Sequence, residues 1–283
     1  MVSNAIQLVN NVESVVSLPT IFSRIDELIN SPDSNLTDIA DVISDDPGLS
    51  VRLLKVANSA MFNFPAEINT ITRAITVIGT RQLRDLVLAT KVISVFKDID
   101  SDIINMEEFW KHSIATGIMA RILASLRREP NTEYYYLLGL LHEVGRLVMY
   151  MEIPDLMSRA VTNSIENNVA LHQSELSVIG FDHSMVGAEL MAAWNLPESM
   201  RDAICYHHRP SLSLNYADDA GIIHVSDLVV NALELGSSGE SDIPPLDEQA
   251  WESLDLSQFV LPDAVEQLEN QYQEAVDIFL EDA

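Results

Sequence analysis

The 283-residue chain is 47% hydrophobic, with ten glycines and eleven prolines, a balance that supports one sizeable core or two smaller ones and excludes a disordered chain. Its single cysteine, Cys205, rules out an intramolecular disulfide, which fits a reducing compartment. A formal net charge of −27 opposes bulk attraction to nucleic acid or anionic lipid, and residues 210–283 carry seventeen acidic side chains and no Lys or Arg.

In chain order, the pattern predicts helices almost throughout. Met1-Val2-Ser3-Asn4 lacks a basic region leading into an apolar stretch, so no signal peptide is expected. No apolar run approaches the roughly 18 residues of a membrane span, and a cytoplasmic location is expected. A short helix over 3–12 leads. Leu18-Pro19-Thr20 starts a second, running to Asn30, with Ile21, Ile25, Leu28 and Ile29 on one face. Asn35 is placed to cap Leu36–Ser44, and Asp46-Pro47 combines a capping carboxylate with proline at the first helical position. That next helix turns Leu49, Leu53, Leu54 and Ala57 inward. Ile71, Ala74, Ile75 and Ile78 mark another, ended by Gly79, and Thr80 caps one containing Leu83, Leu86, Val87 and Thr90. An acidic linker, Lys97-Asp98-Ile99-Asp100-Ser101-Asp102, follows. Further helices are predicted over 107–126, 132–150, 153–167, 170–178, 183–194, 198–208 and 216–234, then a loop over 236–246 and an acidic helix over 263–280. No stretch reads as a strand. The expected fold is all-α, with an amino-terminal helical subdomain (1–105), a second helical subdomain (106–235), and an acidic loop and terminal helix (236–283).

Chemistry concentrates around Leu140-Leu141-His142-Glu143-Val144-Gly145-Arg146. An imidazole and a carboxylate side by side in apolar surroundings are costly to bury without partners. Partners exist on other predicted helices: His112, His183, His207, His208 and Asp227. Imidazoles and carboxylates gathered from several helices suit a borderline divalent ion. Within a regular helix His207 and His208 would point about 100° apart, so either two ions are held or one ring serves another purpose. Gly145 would let another helix approach closely. His172 and His224 read as packed, hydrogen-bonded side chains, although His224 sits one turn before Asp227. Cys205 reads as a small packed residue.

The order His112, His142-Glu143, His183, His207-His208 and Asp227 resembles that of HD-type metal phosphohydrolases. The segment from Asp46-Pro47-Gly48-Leu49-Ser50 through Asn58-Ser59-Ala60 resembles the hallmark stretch of HDOD domains, the HD-related output domains of bacterial signalling. So do Ile71 through Gly79 and Trp194-Asn195-Leu196-Pro197-Glu198. The likeness runs over about 11–235. It implies a metal set of His112, His142, Glu143, His183, His207, His208 and Asp227, with His142, Glu143 and Asp227 nearest any catalysis. One or two ions (iron, manganese, magnesium or zinc) would act by activating water toward a phosphate ester. Arg146, Lys111 and Arg209 become candidate phosphate contacts.

The resemblance points two ways, because HDOD domains are mostly regarded as regulatory and many lack ligands. The central pair here is His-Glu instead of His-Asp, and the added methylene moves the carboxylate by roughly 1.5 Å. Arg146 stands where HD enzymes commonly have lysine, and a planar fork is no equivalent of an ammonium. The glycine-tyrosine-proline motif of the cyclic-dinucleotide branch is absent after His207-His208, where Arg209-Pro210 follow. The favoured expectation is a signalling or regulatory protein with a metal site. The alternative is an active phosphohydrolase on a nucleotide or phosphodiester. A signalling protein meeting the Asn58-Ser59-Ala60-Met61-Phe62 segment and a phosphate-containing small molecule are the expected partners. Nucleic acid and membrane are not, since no basic stripe or zinc-finger spacing occurs.

Overall fold

A computed structural model of the protein describes residues 4–12, 20–96, 99, 103–240 and 243–280. Helices α1 (Ala5–Asn11), α2 (Thr20–Asn30), α3 (Leu36–Ser44), α4 (Pro47–Asn58), α5 (Ile71–Ile78) and α6 (Thr80–Phe96) come first. They are followed by α7 (Met106–Leu126), α8 (Thr132–Leu141), α9 (Val144–Glu152), α10 (Pro154–Asn167) and α11 (Leu171–Val178). Then come α12 (His183–Ala193), α13 (Glu198–Tyr206), α14 (Ala217–Ala232), α15 (Glu248–Ser253) and α16 (Leu261–Leu280). No strand occurs among the described residues, so the all-α expectation holds. The expected helix start at Leu18-Pro19 and nearly all of the 97–102 linker lie outside the described residues.

Local chemistry explains the helix starts. The Asn35 side chain accepts from Thr37 N while Asp38 accepts from Asn35 N, which satisfies donors left over at the start of α3. Asp46 accepts from Leu49 N at 3.0 Å, Pro47 opens α4, and Lys91 on α6 reaches the same carboxylate at 2.5 Å. Gly79 ends α5 at φ +103°, a backbone conformation that L side chains rarely adopt.

Helices α2–α6 pack on one another as a bundle, and α6 also lies along α8. Around α7 are gathered α8, α14 and α16, with α12 and α13 completing the second bundle. One continuous apolar core runs through both. Two placements depart from the sequence-based divisions. Helix α1 packs on α9 and α12 of the second bundle, with Leu8 fully buried. Helix α16 folds back across α7 and α4, and Phe279 lies against Tyr136 at 6.1 Å between ring centres.

Glycines set the closest crossings. A Cβ at Gly139 of α8 would come 2.7 Å from Gly117 Cα of α7, so these two backbones touch. A Cβ at Gly145 of α9 would overlap the His183 carbonyl oxygen and Gly187 N of α12, so the expected close approach is real. The first crossing brings α7 beside the end of α8, and the second presses the start of α12 against Glu143.

The candidate metal centre

The helix expected over 132–150 is in fact two. Helix α8 ends at Leu141, Glu143 has φ −95° and ψ −3°, and α9 starts at Val144. Apolar residues flank the break on both sides, so the pattern alone does not show it. The break puts His142 and Glu143 at a corner between helix axes, where both face the interior.

Two groups of possible metal ligands meet there. His112, His142 and Asp227 form one, and Glu143, His183, His207 and His208 the other, the ligand atoms of each group lying within 4.8 Å of one another. All seven expected ligands are therefore brought together. His112 Nε2 is 3.0 Å and His142 Nε2 3.5 Å from Asp227 Oδ1. Glu143 Oε1 is 3.8 Å from His142 Nε2, and its Oε2 is 3.3 Å from His183 Nε2.

The histidine pair departs from the expected helix over 198–208. Helix α13 stops at Tyr206, although His207 keeps helical backbone angles (φ −59°, ψ −25°), and the two rings lie 3.9 Å apart in one group of possible ligands.

The outer ring nitrogens identify the lone pairs. His142 Nδ1 lies 2.6 Å from the Gly139 carbonyl and His207 Nδ1 2.7 Å from that of Ile204. A carbonyl only accepts, so each Nδ1 carries the proton and each Nε2 offers a lone pair. His183 Nδ1 lies 2.6 Å from Glu175 Oε2 and 2.9 Å from Arg146 Nη2, while His183 Nε2 is 3.0 Å from His208 Nε2. Glu175 Oε2 also accepts from His183 N at 2.9 Å. Burial lowers the proton affinity of His183 and His207 well below the ordinary imidazole value, which keeps them neutral and able to ligate. The Nε2 atoms of His142 and His207 and both Glu143 oxygens are buried without a hydrogen-bond partner. Orphaned acceptors in a shared space are what a divalent cation would satisfy, so the donor set fits a metal.

The carboxylates differ. Burial raises the Glu143 pKa to about 7, against the opposing pull of Arg146 and His142. Burial also pushes Asp227 upward, but the adjacent His112 and His142 outweigh it and hold the group well below the ordinary carboxylate range.

Among the expected phosphate contacts, Arg146 is fully buried and engaged on every side. It lies 3.1 Å from Glu143, 3.2 Å from Glu175 and 3.3 Å from Glu240, and donates to the Ser238 carbonyl at 2.8 Å. Lys111 is held by Glu107 and Glu108 of its own helix. Arg209 is half exposed, with Asp182 4.0 Å away.

His224 is packed as expected. Its Nε2 accepts from Asp247 N and its Nδ1 donates to the His207 carbonyl, which fixes the backbone of a ligand. Burial raises the Cys205 pKa to about 11, which does not suit a nucleophile. His172 is packed as expected, its ring stacked on His208 at 4.1 Å near Glu240, but its Nδ1 lacks a hydrogen-bond partner. Glu175 and Glu240 went unrecognised in the sequence. Glu175 had a usable signal, since it lies three residues after His172 and shares that helix face. Glu240 had none, standing in a loop of small polar residues.

Fold and donor set together define an all-helical protein with a candidate metal centre assembled from several helices. The HDOD domain family matches residues 15–210, well over half of the chain, and the chain belongs to that family. An uncharacterized protein of Treponema pallidum is 26% identical over 242 residues, which is 85% of this chain and 46% of that protein, so the chain spans about half of that relative's length. Among solved structures, an HDOD domain protein of unknown function from Geobacter sulfurreducens aligns with TM-score 0.80 and 23% identity over 97% of this chain and 98% of that one. A candidate phosphohydrolase from Shewanella amazonensis aligns with TM-score 0.76 and 21% identity over 98% of both chains. A candidate signal transduction protein from Marinobacter aquaeolei aligns with TM-score 0.69 and 20% identity, over 93% of this chain and 59% of that one. These likenesses establish a shared fold.

Proposed function

We propose that this protein is a signalling or regulatory module that holds one or two divalent ions between His112, His142, Glu143, His183, His207, His208 and Asp227. The observation that carries the reading is the pair His142 and His207, whose Nδ1 atoms are committed to backbone carbonyls while their Nε2 atoms are buried without a partner, with His183 Nε2 close by at 3.3 Å from Glu143 Oε2. Mixed imidazole and carboxylate donors suit iron, manganese or zinc, with magnesium the poorest match to so many nitrogens. Arg146 favours regulation over turnover, since it donates to Glu175, Glu240 and the Ser238 carbonyl and also lies 3.1 Å from Glu143. Partner proteins and a phosphate-containing small molecule are the ligand classes this reading admits.

Elemental analysis of protein purified without a metal-affinity tag is the test. At least about one ion per chain is expected, lost in His142→Ala. A metal-free protein that also fails to bind added iron, manganese or zinc would sink the reading.

The second reading is a phosphohydrolase. It is favoured by the meeting of two ligand groups, with His142 and His207 rings 5.2 Å apart across their boundary. Paired ions would supply Lewis acidity and an activated water at a phosphoryl group. Turnover of any nucleotide or phosphodiester by the metal-loaded protein, abolished in His142→Ala, would establish it.

A further inference from the structure

The chain after α14 runs as a short strap, 236–240, over α7, Arg146 and the start of α11. Gly236 anchors it with φ +75°, where a Cβ would overlap the Glu108 carbonyl oxygen and His112 N. Ser237 N donates to the Glu108 carbonyl at 2.9 Å, and the Ser238 carbonyl accepts from Arg146. The strap ends at Glu240, whose Oε1 is 3.3 Å from Arg146 Nη2 and whose Oε2 accepts from Leu171 N, at the start of α11, at 2.9 Å.

Those are groups that bind oxyanions: a guanidinium edge and a backbone amide at a helix start. Two imidazoles complete the surroundings, since ligand atoms of His172, His208 and Glu240 all lie within 4.8 Å of one another. His172 Nδ1 is buried without a hydrogen-bond partner, in a residue only 5% exposed. The subsite thus has an unused polar atom although a carboxylate already fills part of it. The strap is secured by hydrogen bonds, and the Gly236-Ser237-Ser238-Gly239 sequence contributes no large apolar side chain to the core.

We propose that Arg146, the Leu171 amide, His172 and His208 form an oxyanion subsite for a phosphate-class ligand, and that Glu240 is its tethered occupant, which the ligand must displace. This rests on the metal reading, because Glu143 and Glu175 already offset Arg146 and the charge of a bound ion is what would draw in a dianion. Imidazole lone pairs lie in the ring plane, and with ring centres 4.1 Å apart and planes only 14° from parallel those of His172 and His208 do not converge well on one further metal. The strap lowers apparent affinity by the fraction of time it is closed. The protein would therefore answer a ligand by releasing residues 236–240, a change of surface that a partner could read.

The experiment compares wild type, Glu240→Gln and Glu240→Ala, metal-loaded and metal-stripped, by calorimetric titration with inorganic phosphate, with metal content measured on each. Both variants are expected to keep their metal and, when loaded, to bind phosphate at least about tenfold more tightly than wild type. In wild type, phosphate should speed hydrogen exchange at the Leu171 and Ser237 amides, a response that a purely structural Glu240 would not give. Unchanged or weaker phosphate binding in both variants and both metal states overturns the strap proposal, as does loss of an ion on removing the carboxylate. Absence of metal from wild type overturns the metal reading instead, and is scored separately.

Discussion

At the residue scale, the centre depends on side chains that fix the outer edges of its imidazoles. Glu175 accepts from both the ring and the backbone of His183, so Glu175→Gln should leave the fold intact while loosening the ring and its tautomer. Metal affinity is expected to fall by about 10–100-fold, read by competition with a chromogenic chelator. An unchanged affinity would show that His183 needs no such support. A residue far from the centre offers a stability test. Asp46 caps α4 and pairs with Lys91, and Asp46→Ala should cost about 1 kcal/mol in urea unfolding at neutral pH. Hydrogen bonds from the Leu49 amide and Lys91 lower its folded pKa below the ordinary 3.8. The folded state therefore holds fewer protons, the stabilisation is complete above that ordinary value, and it is lost as pH falls through the folded one. The gap between wild type and variant should accordingly close in acid, and a gap that persists there would exclude the carboxylate as its source.

At the scale of elements, close helix crossings place the ligands. Gly145→Ala puts a methyl group into the backbone of α12 at His183 and Gly187, where no flexible side chain can yield. The two helices must separate, with an expected cost of about 1–3 kcal/mol and a weakening of metal binding as His183 moves from Glu143. Gly48→Ala serves as a control, because its new methyl would meet only Asp46 Oδ1 at 3.6 Å, an ordinary contact. It should be neutral or slightly stabilising, measured by thermal melting. The break between α8 and α9 belongs to this scale too. Straightening it would rotate Glu143 away from His142 and divide the two ligand groups.

For the whole molecule, the terminal acidic helix is structural. Leu268 and Phe279 are fully buried, Val276 and Ile278 nearly so, and Glu274 accepts from Ala60 N at 2.7 Å. The Asn58-Ser59-Ala60-Met61-Phe62 segment thus meets the chain's own last helix, and Asn58 also bonds Ile68 at both its amide nitrogen and its carbonyl oxygen. Removing residues 261–283 would abolish the burial of these four apolar side chains and uncover the surface they pack on, a loss of roughly 6–12 kcal/mol in total, comparable with the whole stability of a domain. Such a truncation should bind a hydrophobic dye and lose cooperative melting; retention of a sharp transition near the wild-type temperature would show that the helix is dispensable. No helix among the described residues is long and apolar enough to cross a membrane.

Much was legible before any coordinates. The Asn35 and Asp46-Pro47 starts, the Gly79 stop, the all-helical class and the seven possible ligands follow from side-chain chemistry within a few residues, or from motifs in a fixed order. Composition and periodicity report local preference and the face a residue presents, and both survive folding. What required the tertiary structure is the meeting of parts remote in sequence: His172 with His208, Glu175 with His183, Glu240 with Arg146, and α16 with α4. The break at His142-Glu143 also escaped, because an apolar pattern looks alike in one long helix and in two buried ones. A loop glutamate has no periodicity to betray it, and its partner is chosen by where α11 and the strap come to rest. Sequence alone determined which donors the protein owns; only packing decided which of their lone pairs face one another.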